Sequence, residues 1–277
     1  MTTLPHEKYQ LGEVAERWSR GQALRQQAYE VATETMLDLA NVHVGSRVLD
    51  VAAGTGEQTL MAAGRAGPSG YVLATDLSAS MLSLAAEAAR RAGLTNVETR
   101  VMDAESLDLN PDLFDAVICR LGLMLCRNRA KALTGMRRVV KPGGKVAAFV
   151  FSALEKNPYY EIPIAIVRRL GNIPPPAPGE PWMFDLGGSG VLEETFNRTG
   201  FVTVSVHAVP IRRCFPSAAD AIQSMRSSAV AVRDLMSRLN DADRELAWAE
   251  IEQQFLRFES PSGFEVPGEV LIGVGTK

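Results

Sequence analysis

One stretch, Val48 to Thr59 (VLDVAAGTGEQT), limits what the chain can fold into more than any other. Arg47-Val48-Leu49 is a strand-like apolar run, Asp50 ends it, and Gly54-Thr55-Gly56 makes a turn. Glu57 to Ala63 then supplies good helix formers, so the stretch reads as strand, tight glycine turn and helix. Glycine lacks a Cβ and accepts positive φ, which lets a ligand approach the backbone at such a turn. The helix start behind it offers unpaired N–H groups to a carboxylate or phosphate. A dinucleotide fingerprint G-x-G-x-x-G needs a third glycine at position 59, where this chain has Thr59, so a pyrophosphate cradle is disfavoured. Asp50 adds a carboxylate that would suit a cationic ligand.

The next elements repeat the pattern. Val72 to Ala74 is a second short strand leading to Asp76, where a carboxylate can accept both hydroxyls of a ribose. Ser78 is an N-cap for a helix over 79–92 that stops at Gly93. Val97 to Val101 alternates as a third strand, and Phe114 to Cys119 is a near-continuous apolar run of the kind buried in a parallel sheet. A helix over 128–140, stopped by Lys141-Pro142-Gly143-Gly144, precedes a fifth strand at 145–151. Strands alternating with helices predict a doubly wound parallel sheet.

Residues 152–190 break the alternation with Pro158, Pro163, Pro174 to Pro176, Pro178 and Pro181, which predicts an irregular insertion with one helix around 162–170. A helix over 191–198 and a strand over 201–209 follow. Two more helical stretches span 217–239 and 241–258, with Ser217 and Asp241 as caps, and Leu271 to Val274 reads as a last strand. Before the first strand, Glu13 to Leu39 has an amphipathic helical pattern that Gly21 divides in two.

Composition excludes several classes. A chain of 277 residues, 46% hydrophobic and 22% charged, is ordinary for a globular protein. A formal net charge of −3 gives no electrostatic reason to expect nucleic acid. The three cysteines, Cys119, Cys126 and Cys214, form no C-x-x-C pair, which favours a reducing compartment. The start carries no basic and apolar leader pattern, and no apolar run approaches the ~20 residues of a membrane helix, so a cytoplasmic protein is expected. His6, His43 and His207 have no metal-ligand spacing, so no metal is expected.

The glycine turn with its preceding Asp50, the acid after the next strand, and the segments Met102-Asp103-Ala104-Glu105, Phe114 to Arg120 and Arg138 to Gly144 together resemble a class I S-adenosylmethionine-dependent methyltransferase of the ubiquinone/menaquinone-biosynthesis type. The resemblance covers about residues 45 to 151. It implies a Rossmann-like, doubly wound, seven-stranded, mainly parallel sheet with an antiparallel closing strand, plus N-terminal helices and an inserted, mostly helical cap. It divides the chain into N-terminal helices closing over the cofactor (1–44), a cofactor-binding core (45–151), an acceptor cap (152–190 and 211–262) and the remainder of the core sheet (191–210 and 263–277).

The implied cofactor is S-adenosylmethionine, with contacts from Asp50, Ala52, Gly54, Gly56, Asp76, Leu77, Met81, Asp103, Ala104 and Arg120. Asp50 would lie near the methionyl amino group, Leu77 and Met81 beside the adenine, and Asp103 and Ala104 at its edge. Arg120 reads equally well as a structural fork. Acceptor contacts are expected at Tyr9, Trp18, Met124, Tyr159, Tyr160, Trp182 and Phe184, although the aromatics of the N-terminal helices, Tyr29 included, read more readily as core.

Methyl transfer from a sulfonium is an in-line displacement, so alignment and exclusion of water suffice and no catalytic base stands out. The expected reaction is methylation of a small, largely apolar acceptor such as a quinone, terpenoid or other secondary metabolite, at carbon first, with oxygen or nitrogen as alternatives. A nicotinamide-dependent dehydrogenase or a non-catalytic cofactor-binding module is disfavoured by Thr59 and by the intact set of acids. No nucleic-acid partner is expected, and assembly into a homo-oligomer stays open.

Overall fold

The computed structural model describes residue 15 and residues 18–177 and 180–277. Tyr9 lies outside the described residues. In chain order the elements are α1 (Gln22–Leu39), β1 (Arg47–Val51), α2 (Glu57–Ala66), β2 (Tyr71–Asp76), α3 (Ala79–Arg91), β3 (Val97–Val101), β4 (Phe114–Arg120), α4 (Arg129–Val139) and β5 (Val140–Phe151). They continue with α5 (Pro158–Gly171), α6 (Val191–Asn197), β6 (Val202–Phe215), α7 (Ala218–Ser228), α8 (Val230–Met236), α9 (Asp241–Phe255), the two-residue β7 (Glu259–Ser260) and β8 (Gly263–Thr276).

The sheet runs β3-β2-β1-β4-β5-β8-β6, with β7 paired only to β8. β1 pairs in parallel with both β2 and β4, and β8 lies antiparallel between β5 and β6. The expected mainly parallel sheet with an antiparallel strand is therefore present. Strand order reverses between β1 and β4, and a crevice at the carboxyl ends of those two strands is where such sheets place ligands.

Burial explains the central strands. All but one residue of β4 are buried, because helices cover both faces of a parallel sheet. α1 buries Ala28, Tyr29, Ala32, Thr33, Met36 and Leu37, a four-residue repeat that makes one stripe, and it lays that stripe on β5 and β6.

β6 and β8 pair along almost their whole length, from Val202 with Thr276 to Phe215 with Phe264. Ile211 and Val270 belong to the core under the sheet, whereas Phe215, Phe264 and Val266 enter a second core built with α5, α7, α8 and α9. The strand expected over 201–209 thus continues to Phe215, and the one expected over 271–274 begins at Gly263, because each finds a partner in the other beyond the main sheet.

Several local expectations need correction. α5 starts at Pro158, ahead of the expected 162, because proline is well suited to the first helical position, and burial of Tyr159, Ile162, Ile166 and Val167 carries the helix through Pro163. The stretch expected as one helix over 217–239 is two, broken at Ala229 (φ −79°, ψ 87°). Ser217 caps α7 as expected, but α9 is capped by Asn240, whose side chain accepts from the Asp243 N–H, and Asp241 is its first helical residue. Among the described residues no helix is long and apolar enough to cross a membrane.

Phe255 on α9 is fully buried in the second core, with its ring centroid 5.9 Å from that of Tyr159 and 5.4 Å from that of Phe264. Phe255→Ala should lower the unfolding free energy by about 3–5 kcal/mol. Leu246→Ala on the same helix, at a position 46% exposed, should change it by less than about 0.5 kcal/mol. Urea unfolding of both variants checks this, and similar midpoints for the two would contradict it.

Candidate functional site

The glycine turn stands at the switch point. Gly54 and Gly56 both have positive φ (57° and 87°), the conformation for which glycine is suited. Gly56 is needed for a second reason, since a Cβ there would stand 2.8 Å from the Ala85 Cβ of α3. Two non-glycine residues nearby share the left-handed region: Ala52 (φ 58°) after β1 and Leu121 (φ 60°) after β4. Such strain persists only where the surroundings over-determine it, and it clusters at functional sites. Gly122 follows for a steric reason, because a Cβ on it would fall 2.4 Å from the Ala52 Cβ.

Asp50 is fully buried. Thr59 Oγ1 donates to its Oδ2 at 2.6 Å and Gln58 Nε2 to its Oδ1 at 3.2 Å. Position 59 therefore has a use of its own: where a dinucleotide site would have glycine, the hydroxyl closes on Asp50. Burial raises the Asp50 carboxyl from its ordinary 3.8 to about 7 despite those two bonds. The carboxylate expected beside a ligand amino group is committed to α2 in this structure.

Asp76 is placed differently. Its Oδ2 accepts from the Gly54 N–H and its Oδ1 from the Ser78 N–H, each at 2.9 Å. Burial raises its carboxyl, while backbone N–H groups of Ser78, Gly54 and Leu77 oppose the rise. A carboxylate has about four lone-pair sites, so these two bonds fix its orientation and leave capacity for a diol.

The loop after β3 is pinned to the same edge, with the Met102 N–H donating to the Asp76 carbonyl at 3.0 Å. Asp103 is exposed and accepts from the Glu105 N–H at 2.8 Å, and Ala104 is half-buried. Glu105 in turn accepts from the Arg127 and Asn128 N–H groups. Leu77 is half-buried, and Met81 packs with Ala15, Trp18 and Leu84.

Glu57 was not anticipated as a site residue. Its side chain is almost inaccessible and joins Arg25 at 2.6 Å, Arg120 at 2.8 Å and the Thr55 hydroxyl at 2.9 Å. Burial alone would raise its carboxyl, but the Arg25 and Arg120 guanidiniums, with hydrogen bonds from Arg25 and Thr55, hold it below the usual range. Arg120 also donates to Thr33 Oγ1 at 3.2 Å. The fork reading of Arg120 is the one its geometry displays: it joins α1, α2 and β4. An acid at the first helical position beside the turn was the available sequence signal.

Over the turn lies Trp18. Its Nε1 is 3.6 Å from where a Gly54 Cβ would be, and the Arg25 guanidinium sits 4.1 Å from its ring centroid. Tyr29 is buried against Phe149 and Phe151. Met124 is buried in a short turn, Leu123–Leu125.

The expected acceptor aromatics separate into two groups. Tyr160 and Phe184 meet Phe151 of β5, and Trp182 stacks edge-on against Phe184 with centroids 5.1 Å apart. Tyr159 turns away into the second core, parallel to Phe215 with centroids 5.7 Å apart, and its hydroxyl donates to the Ala221 carbonyl. Burial pushes that phenol up to about 12. Among the described residues no group of three or more His, Cys, Asp or Glu is placed to hold a metal ion.

Two outcomes follow. Glu57→Ala strands the buried Arg120 without its carboxylate and should lower the unfolding free energy by about 3–5 kcal/mol in urea titrations; a loss near zero would mean the network contributes nothing. Asp50 has a raised folded pKa, so its stabilising contribution is complete below the unfolded value of 3.8 and is lost as pH rises through about 7. Asp50→Asn should therefore gain stability relative to the parent between about pH 4.5 and about pH 7.5. A stability difference that stays constant over that window would contradict the assignment.

Comparison with known proteins agrees with the geometry. The model of the ubiE/COQ5 methyltransferase family matches residues 23–167, more than half of the chain. The ubiquinone/menaquinone biosynthesis C-methyltransferase UbiE of Bordetella avium is 43% identical over 117 residues, 42% of this chain and 45% of that protein, so the match spans less than half of the relative's length. The crystal structure of the YcgJ protein from Bacillus subtilis aligns over 90% of this chain and 98% of its own, with a TM-score of 0.60 at 18% identity. Phosphoethanolamine N-methyltransferase 2 from Haemonchus contortus, solved in complex with S-adenosyl-L-methionine, aligns over 89% of this chain and 52% of its own, with a TM-score of 0.55 at 18% identity. From its strand order, its glycine turn and this match, the chain belongs to the ubiE/COQ5 methyltransferase family.

Proposed function

We propose that the chain transfers a methyl group from S-adenosylmethionine to a small, largely apolar acceptor, at carbon in the first instance. The observation that carries this reading is the position of Asp76 at the switch point, where the Gly54 and Ser78 N–H groups fix its carboxylate and leave it capacity to accept from a ribose diol. The cofactor fits the residues present. Gly54 and Gly56 bring no side chain to the turn, Leu77 and Met81 offer apolar contact, and the Asp103–Ala104 loop, whose neighbour Met102 is bonded to Asp76, offers an acceptor and a donor to an adenine edge.

The cofactor supplies an electrophilic methyl on a positively charged sulfur. What the chain must do is align the acceptor and exclude water, which together account for most of the available rate gain in such a displacement. Trp18 over Gly54 and Arg25 on Trp18 close the turn from the N-terminal side. Tyr160, Trp182 and Phe184 offer an apolar wall at the seam between sheet and cap, and residues 152–190 and 211–262 are the segments to which acceptor choice is assigned. Methylation at oxygen or nitrogen would call for a base at the acceptor's heteroatom. Quinone-type acceptors follow from the relatives that share the family. The cysteines, all free, accord with a reducing cytoplasm.

Asp76→Ala removes the acceptor of two ribose hydrogen bonds, each worth about 1.5–3 kcal/mol because the acceptor is charged. Calorimetry should show the dissociation constant for S-adenosylhomocysteine rising by at least roughly ten-fold. Unchanged affinity would remove the ribose assignment and with it the main support for this function.

A further inference from the structure

Arg213, on the half of β6 that runs into the cap, is a buried cation that has no counter-ion among the described residues. It is 7% exposed, and among the described residues no carboxylate pairs with it. One nitrogen donates to the Tyr29 hydroxyl, and the other, Nη1, has no hydrogen-bond partner. Its guanidinium stands 5.3 Å from the ring centroid of Tyr29, 5.8 Å from Phe151, 5.2 Å from Tyr159 and 5.0 Å from Tyr160. Arginine keeps its proton in any protein environment, so the charge cannot be shed to relieve burial.

Packing alone does not account for the residue: the ring faces offset part of the cost of desolvating the guanidinium but give Nη1 no acceptor. An apolar side chain of the same length would fill this position without an orphaned donor. A buried polar atom left unpaired in a folded protein calls for a partner, and here the partner must be an acceptor, best an anionic one.

The location says what that partner belongs to. The Tyr29 ring is near both guanidiniums, with Arg213 5.3 Å and Arg120 5.9 Å from its centroid. Arg120 is neutralised by Glu57 beside the glycine turn, and Arg213 is not. The unsatisfied charge therefore lies one aromatic ring away from the cofactor side, in the seam where Tyr160 and Phe184 meet Phe151.

We propose, resting on the methyltransferase reading, that Arg213 binds an anionic oxygen, carboxylate or phenolate, on an aromatic acceptor that lies among Tyr29, Phe151 and Tyr160. The rings stack on the acceptor and Nη1 donates to its oxygen. Acceptors of the same shape that lack the negative charge are discriminated against, because a neutral oxygen makes a weaker bond to Nη1 and leaves the buried charge uncompensated.

The test is calorimetric titration of the full chain, saturated with S-adenosylhomocysteine, with two pairs of probes: benzoate beside benzamide, and para-nitrophenolate beside nitrobenzene. At least one anion should bind about ten-fold or more tightly than its neutral partner, as a charge-assisted bond predicts. The pair with the larger ratio identifies carboxylate or phenolate. In Arg213→Met, or in Arg213→Gln if the first does not fold, the ratio should fall to about one, while Arg213→Lys keeps part of it. A ratio near one for both pairs in the unmodified chain overturns the proposal without need of any variant. So does a preference that survives in a folded Arg213→Met or Arg213→Gln chain. Failure of the unmodified chain to bind S-adenosylhomocysteine would instead count against the methyltransferase reading, and the two failures are read from separate titrations.

Discussion

The buried carboxylate of Glu57 is the contact on which the site's architecture depends. It is the first residue of α2, and it holds Arg25 from α1 and Arg120 from the end of β4. Three elements far apart in sequence meet at one carboxylate, and each guanidinium is desolvated on the understanding that the acid is ionised. Removing water strengthens this attraction and also makes it intolerant of change, since any member left alone is an uncompensated charge. The position of α1, and through Arg25 that of Trp18 over Gly54, follows from this pairing.

The alternation of strand and helix through residue 151 was legible because each signal there is local. Apolar runs, the Ser78 cap and the positive-φ glycines of the turn act within a few residues of themselves. Asp76 and the turn could be placed for the same reason. Beyond residue 151 the determinants are distant. β6 and β8 extend past their apparent ends because they pair with each other, and α5 runs through Pro163 because the second core buries it. No window along the chain contains both partners of such contacts.

The site residues divide in the same manner. Thr59 was legible only as an absent glycine, and its bond to Asp50 appears once α2 is folded over β1. Tyr159 and Tyr160 are adjacent in sequence and alike in type, yet one faces the second core and the other the seam, because neighbours on a helix point about 100° apart. Arg213 carried no motif at all. Its environment is assembled from α1, β5 and α5, so nothing near it in the chain announces that its charge is unmatched.

The position of β8 has a consequence for how the chain is made. β5 ends at Phe151 and β6 at Phe215, yet both find their antiparallel neighbour only in Gly263–Thr276. During synthesis on the ribosome, β1 to β5 can assemble as each βα unit emerges, but one edge of β5 and the whole of β6 wait unpaired until that later segment arrives. Open edges of apolar strands are templates for pairing with other chains. Long-range closure of this kind is slow relative to local helix formation. Truncated or stalled products ending before residue 263 would therefore be the species most exposed to aggregation and to capture by chaperones, although they already contain the entire glycine turn.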